Sequence, residues 1–561
     1  MDEVFNKKEP KIFQNKDIAQ DLEQDNIDVN LINNNKNDII SYNSIDDEKI
    51  TSFIKEKNMP DYENETPLID QIINKAGYNN DMLIKIALIS LSMLIEGIYL
   101  TTFLALFTPF STYYNIDERT MSILSSLIYL AIGVGSAMIP FISSKIMRIT
   151  IIRYSMFTLT ILAILLGFVK NLYVFTILRS FIGFFVGIIV PLILCILTEY
   201  LPMFLRSFVL NVVWITFIIG VLIQLFVIQI VMPDLNPDKF HDIMKYVSFV
   251  PTCITMIYFL FLEDSPRNLM INNYPDEAFK ILEKVGKVKL TGDDKLRLLK
   301  EIKYGENNIV DNHVFASLFN QKNITTTFIL TLIFIVALFI IYCPFIIMSS
   351  TLKSIGVEQK VNTKNESESI IGQIIVVNLI ASVGFILAGV LSEFEFLGRK
   401  FAMGLGFFGY SILTLFSYIF IEYFEFFLGV EQIFGYIFAE IMSSYAYEYY
   451  DTRTRDVALG YLYCCGRFSS FFSQFIGIEL AKINPLFPFY LITILGFIGG
   501  ILSISLPYET YGHFLDIHME KEKIIKENIE FSKLSDNSRL NSNSNDSKDI
   551  ENKNIKGIKD N

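Results

Sequence analysis

The sequence predicts an all-α membrane protein of about twelve spans in two six-helix halves. Three observations carry that expectation. Several apolar stretches exceed the roughly 18 residues that cross a bilayer. The 561-residue chain is 52% apolar and 14% aromatic although both ends are polar, so its middle is far more hydrophobic than the mean. Finally, a glutamate followed seven positions later by an arginine closes an apolar stretch twice, at Glu199 to Arg206 (EYLPMFLR) and Glu448 to Arg455 (EYYDTRTR). Such a repeat marks two similar halves that meet the membrane surface in the same way, an organisation common among transporters.

Residues 1–82 are rich in Asn, Asp, Lys and Glu without a sustained apolar period, and are expected to be a disordered cytosolic tail. No short apolar region with a cleavage site opens the chain, so the first span is expected to direct insertion. Spans are predicted near 84–107, 121–144, 150–169, 172–198, 207–231 and 244–262, which form an N-terminal bundle over 83–262. Residues 263–324 are too charged to span. There Asp276 to Lys287 (DEAFKILEKVGK) sets Ala278, Phe279, Ile281, Leu282 and Val285 at helical spacing, which predicts short amphipathic helices on the membrane face. A second bundle over 325–506 has predicted spans near 325–348, 370–391, 401–421, 426–447, 457–481 and 486–506. Residues 507–561 form a second polar tail.

Basic residues collect after every even-numbered span: Lys145, Arg148 and Arg153, then Arg206, the lysine-rich centre, Arg399 and Lys400, and Arg453 and Arg455. This bias puts those loops and both termini in the cytosol. Asn365-Glu366-Ser367 on the opposite side forms a glycosylation acceptor, a tripeptide that also arises by chance.

Composition excludes several classes. The net charge of −12 comes with no basic face, which argues against nucleic-acid binding. Cys195, Cys253, Cys343, Cys464 and Cys465 lie in or beside apolar runs without metal spacing and read as buried thiols. His241, His313, His513 and His518 fall in connectors or the tail, so no histidine relay inside the membrane is expected. No Walker loop is present, and no enzyme chemistry, metal or cofactor is expected.

Four further segments resemble the major facilitator superfamily, in the branch of sugar porters, organic-ion transporters and synaptic-vesicle-protein-like members. Arg179-Ser-Phe-Ile-Gly183-Phe-Phe-Val-Gly187 is similar to its RxxxGxxxG in the fourth span. Glu263-Asp-Ser-Pro-Arg267 is similar to PESPR after the sixth, and Leu506-Pro507-Tyr-Glu509-Thr510-Tyr-Gly512 to the LPxETxG that closes the last. Glu395-Phe-Leu-Gly398-Arg399-Lys400 fits the loop pattern GxxxDRxGRR, although Gly389 lies two residues too far upstream. Pro140-Phe-Ile-Ser-Ser144-Lys145-Ile-Met-Arg148, its counterpart in the first half, lacks the acid and both glycines. Pro202 keeps the first EYxP motif, whereas Asp451 replaces that proline in the second. The N-terminal side of the cytosolic gate is therefore the more degraded one. The resemblance covers the chain from the first span to Gly512 and implies the major facilitator fold, working as a monomer on a small-molecule substrate, with a co-transported proton as an option. A more specific likeness is to pantothenate-transporter-like proteins of parasites.

Glu199 with Arg206, and Glu448 with Arg455, are open to two readings: salt bridges that join helices when the pore is closed to the cytosol, or plain positive-inside anchoring. Arg179, Gly183 and Gly187 share one helix face, where the glycines permit close approach, so helix packing alone would also explain them.

Ionisable residues deep in spans are costly there and are the leading substrate-site candidates. Arg467 lies about ten residues into its predicted span, and in the resemblance an arginine there accompanies organic-anion transport. Its alternative is an internal ion pair with Glu440 or Glu479. Glu96, Glu440 and Glu479 are the candidates for proton coupling, and Glu96 stands where the family's first span often carries an acid; a permanent ion pair would equally explain it. Tyr99, Trp214, Gln224, Asn378 and Gln474 are candidates for lining a cavity or for joining helices.

A carboxylate-bearing anion such as a pantothenate-like vitamin is the first expected substrate, with proton symport as one option, and a sugar is the second. A non-transporting vesicle, trafficking or sensor protein of the same fold is the alternative from another class. Both the plasma membrane and an intracellular vesicle membrane fit.

Overall fold

The computed structural model describes residues 67–512 and 515, apart from 144, 233–235, 237–238, 307–313, 322, 356–365 and 421–423. Most of the two expected tails and the Asn365 acceptor lie outside the described residues. Among the described residues the regular structure is helical, with no strand.

Helix α1 (Leu68–Ala76) falls inside the stretch expected to be disordered, and this corrects the N-terminal reading. Its single apolar face, Leu68, Ile69 and Ile73, is buried, which a scan for long apolar periods passes over. α2 (Asn80–Tyr114) follows at once, because Asn79 accepts a hydrogen bond from the Met82 amide and caps it.

The N-terminal half continues with α3 (Glu118–Ser143), α4 (Arg148–Leu166) and α5 (Leu172–Tyr200). Its last two expected spans are each broken in two. The fifth is α6 (Arg206–Val212) plus α7 (Ile215–Val231), and the sixth is α8 (Phe240–Val247) plus α9 (Phe249–Phe261). Four short helices follow: α10 (Pro266–Ile271), α11 (Pro275–Gly286), α12 (Gly292–Glu306) and α13 (Val314–Ser317). The second of these is the amphipathic segment expected, with Ala278, Phe279, Leu282 and Val285 buried. The C-terminal half is α14 (Ile324–Ile355), α15 (Glu366–Ser392), α16 (Gly398–Ile419), α17 (Phe424–Tyr449), α18 (Thr452–Ile483) and α19 (Phe487–Ile504).

Ten segments among the described residues are long and apolar enough to cross a membrane. The charged α18 and the short α8–α9 pair bring these to the twelve expected spans. Side chains such as Phe181, Phe226 and Ile501 stand exposed on the outside, where lipid would solvate them. His241, expected in a connector, is buried in the first turn of α8 against Tyr113, Phe175 and Phe240.

Small residues set the packing within the first half. A Cβ added to Gly187 would lie 2.1 Å from the Ile132 carbonyl oxygen, and one on Gly183 would lie 2.7 Å from the Ile128 side chain, so α5 meets α3 backbone to backbone. The Ser136 hydroxyl donates to the Gly187 carbonyl at 2.9 Å across that contact. Arg179 belongs to the same seam, since its guanidinium donates to the Ser125 carbonyl at 3.2 Å. The RxxxGxxxG segment therefore packs α5 on α3. The two halves meet along α3 against α18, and along α6 and α7 against α15.

Candidate functional site

Two polar constellations lie where the halves meet. The first is at the end that carries the motif loops. Glu199, at the last turn of α5, is fully buried. Its Oε1 accepts from Arg148 Nη1 and from Arg455 Nη1, each at 2.7 Å, and its Oε2 accepts from the Ser265 hydroxyl. Arg148 Nε also meets Asp456 Oδ2 at 2.6 Å, and its Nη2 donates to the Thr452 carbonyl at 3.0 Å. Arg455 Nε donates to the Tyr447 carbonyl at 2.9 Å. Two guanidiniums and two carboxylates thus balance in a buried cluster, with Arg148 and Glu199 from one half and Arg455 and Asp456 from the other. Only such mutual pairing makes burial of these charges tolerable.

This arrangement corrects the expected pairing. Glu199 pairs with Arg148 and Arg455, and Glu448 pairs with Arg399. Arg455 crosses to Glu199, whereas Arg206 bonds the Leu201 carbonyl at 3.4 Å and reaches no carboxylate among the described residues. Arg148, from the loop judged degraded, is central to the cluster. Pro202 follows Glu199 in the buried turn between α5 and α6.

On the second half, Arg399 Nη2 meets Glu448 at 3.1 Å and Glu393 at 3.7 Å. Glu393 also accepts from the Phe208 amide at 3.2 Å, at the start of α6, where the positive end of a helix favours an acid. Glu395, expected in that role, is exposed instead. The two extra loop residues shift the acid to Glu393, and this explains the upstream position of Gly389, which faces the Phe208 ring. Asn211 of α6 donates to Ser392 at 3.4 Å and accepts from Ser444, so the halves are joined here too. Glu509 caps α16 by accepting from the Arg399 and Lys400 amides at 2.8 and 3.2 Å. Gly398 has φ +60°, and a Cβ there would lie 2.7 Å from the Glu509 carboxyl group, so this position requires glycine.

The linker closes over the same end. Ser265 caps α10, with Pro266 in its first turn. Glu263 pairs with Lys85 at 2.6 Å and Lys284 at 3.0 Å, and these two ammonium groups hold its carboxyl below the usual range against the opposing effect of burial. Burial pushes the Asp264 carboxyl up to about 6, although Arg148 and a hydrogen bond from Asn268 at 3.0 Å act against it. Arg267 pairs with Asp70 of α1. Asn79 and Asn74 add bonds of 2.7 Å to the Val285 carbonyl and the Met203 amide.

The second constellation is a cavity lined by Glu96 of α2, Tyr342 of α14, Phe385 of α15, Tyr436, Glu440 and Ser443 of α17, and Tyr463 and Arg467 of α18. Trp214, at the break between α6 and α7, completes it. The cavity volume is about 60 Å³. Arg467 pairs with Glu96 across the two halves, and its Nη1 donates to the Tyr342 hydroxyl at 2.9 Å. Tyr436 stacks on Phe385 with ring centres 4.4 Å apart, and the Tyr463 hydroxyl bonds Ser443 at 3.3 Å.

Of the expected substrate residues, Arg467, Glu96 and Trp214 line this cavity. Tyr99, Gln224, Asn378 and Gln474 are buried elsewhere between helices, and Gln474 bonds Ser125 at 3.4 Å. Arg467 takes Glu96 as its partner, where Glu440 or Glu479 was expected. Glu479 is partly exposed and pairs with Arg119 at 3.4 Å and Lys482 at 3.0 Å. Sequence reasoning missed Tyr342, Tyr436, Tyr463, Ser443, Arg148 and Asp456. Tyr436, Glu440 and Ser443 stand at i, i+4 and i+7, and Tyr463 and Arg467 at i and i+4, a face pattern that was available in the sequence.

The chain matches the family model described as "Sugar (and other) transporter" over residues 93–520. It is 21% identical over 493 residues to the protein named "Putative transporter svop-1" of Caenorhabditis elegans, covering 85% of this chain and 92% of that one. The fold is that of the proton:xylose symporter XylE bound to 6-bromo-6-deoxy-D-glucose, with a TM-score of 0.63 at 17% identity over 80% of this chain and 100% of that one. It is also similar to the partially occluded inward open conformation of XylE from E. coli, with a TM-score of 0.58 at 16% identity over 78% and 100%. The chain therefore belongs to the sugar (and other) transporter family of the major facilitator superfamily, and it is an integral membrane transporter, not an enzyme.

Proposed function

We propose that this transporter carries a small, neutral, hydroxyl-bearing solute of the sugar class by alternating access, and that its motif end faces the cytosol. The observation that carries the reading is the pairing of Arg467. An anion site needs a cation left for the substrate, whereas the Arg467 guanidinium is engaged by Glu96 and Tyr342. Around that internally neutral pair stand Trp214, Tyr342, Phe385, Tyr436 and Tyr463. Such rings offer apolar faces for a sugar ring, and the three tyrosine hydroxyls supply hydrogen bonds. The carboxylate substrate expected first thus gives way to the sugar expected second. The positive-inside bias supports the cytosolic orientation.

The test is uptake of labelled hexoses, pentoses and carboxylates, pantothenate among them, into proteoliposomes at two pH values. A sugar is expected to enter and compete, and carboxylates are expected to do neither. Carboxylate uptake that vanishes in Arg467→Ala would overturn the reading in favour of the anion. No uptake of any compound by folded protein would favour a non-transporting role.

A further inference from the structure

The central cavity holds two carboxylates and one guanidinium. Glu96 is paired with Arg467, so the single fixed positive charge is already committed. Glu440 lies on the same cavity wall, 6% exposed, and its Oε2 has no hydrogen-bond partner among the described residues. The titratable and charged groups that line the cavity with it are Glu96 from α2, Tyr342 from α14, Tyr463 and Arg467 from α18, and Tyr436 from its own helix. The α6–α7 segment and α15 contribute Trp214, Phe217 and Phe385, which do not titrate, and α5 and α16 contribute no side chain. An ionised carboxylate without a bonded partner is strongly disfavoured in such surroundings. Some cation must therefore accompany Glu440 whenever the cavity is closed. A proton bound to the carboxyl group itself removes that charge without any further ligand.

We infer that Glu440 is the proton-carrying group of the cavity: Oε2 takes a proton from one side of the membrane, holds it while the solute is enclosed, and releases it to the other side. The Glu96–Arg467 pair then serves as a fixed bridge between the halves. This inference rests on the transport reading above for the solute, although not for the protonation itself. Glu431 of α17 is a built-in control. It is fully buried but does not line the cavity. A proton held there has no contact with the solute.

Two measurements on the full chain in lipid test this. In infrared difference spectra near neutral pH, Glu440→Gln is expected to remove the carboxylic-acid carbonyl intensity of one group, Glu440→Asp to shift it, and Glu431→Gln to remove a separate band. If Glu440→Gln instead removes carboxylate intensity, Glu440 is ionised and the inference fails. In proteoliposomes containing a pH-sensitive dye, a D-xylose or D-glucose gradient is expected to drive proton movement that falls at least about tenfold in Glu440→Gln, while Glu431→Gln keeps it. Sugar uptake with no proton movement in the parent, or uptake of D-glucosamine in which the ammonium group replaces the proton, would also overturn it. If the parent moves no sugar, the substrate reading fails, and the infrared result still decides whether Glu440 is protonated.

Discussion

The two copies of the Glu-x6-Arg repeat share their spacing and differ in their use. Glu199 is the centre of a network that spans both halves, whereas Glu448 meets Arg399 of its own half. Arg455 crosses to the other half, and Arg206 stays with the carbonyl of its own loop. The ion pairs that cross the motif end therefore centre on one diagonal, from the first-half acid to the second-half arginine, while the other side is joined through Asn211 and the Phe208 amide. A duplicated motif can thus become functionally unequal while its residues persist, because a pore needs only one strong set of bridges across its seam.

The largest effect is expected from removing the centre of that diagonal. Glu199→Gln removes the carboxylate that Arg148 and Arg455 share, which should cost the closed form about 3–5 kcal/mol. The drop in melting temperature relative to the parent reports it, and an equal drop for Glu448→Gln would erase the proposed inequality.

Acidity probes the same end through Asp264. Its folded carboxyl titrates at about 6, above the usual aspartate value, so the folded state binds the proton more tightly than the unfolded chain. Stability from this group is fully present below about pH 4 and is lost as pH rises through 6, a swing of about 3 kcal/mol. Asp264→Asn should flatten that part of the stability profile against pH.

Glu448→Gln removes one charge-assisted bond while Glu393 stays near Arg399, and about 1–3 kcal/mol is expected from thermal unfolding. Arg206→Gln, which keeps much of the buried volume, should change stability least, within about 1 kcal/mol, since no carboxylate loses a bonded partner. A loss as large as that of Arg455→Gln would show that both diagonals bear the closure.

Much of the fold was legible in the sequence, because lipid imposes long apolar helices whose number and order survive in composition alone. The structure puts Gly183 and Gly187 at a helix seam and Glu199 at the end of α5, while the segment read as closing the last span also caps α16 through Glu509. The partners were not legible. Arg455 and Glu199 stand 256 positions apart, and periodicity along one helix carries nothing about which of two equivalent acids a distant arginine meets. Nor did apolarity reveal the break that places Trp214 on the cavity, since both sides of it are equally hydrophobic. α1 was missed because a nine-residue helix with one apolar face is stabilised by what it docks on, here through Asp70 to Arg267.

The central claim is that Glu199 closes the motif end by holding the second half. Spin labels at positions 204 and 396, exposed on opposite halves, in a background free of the native cysteines, would read the separation of the two halves by electron–electron resonance. A narrow short distance in the parent that moves to longer values in Glu199→Gln, and stays put in Arg206→Gln, is the result expected. An unchanged distribution in Glu199→Gln would contradict the account.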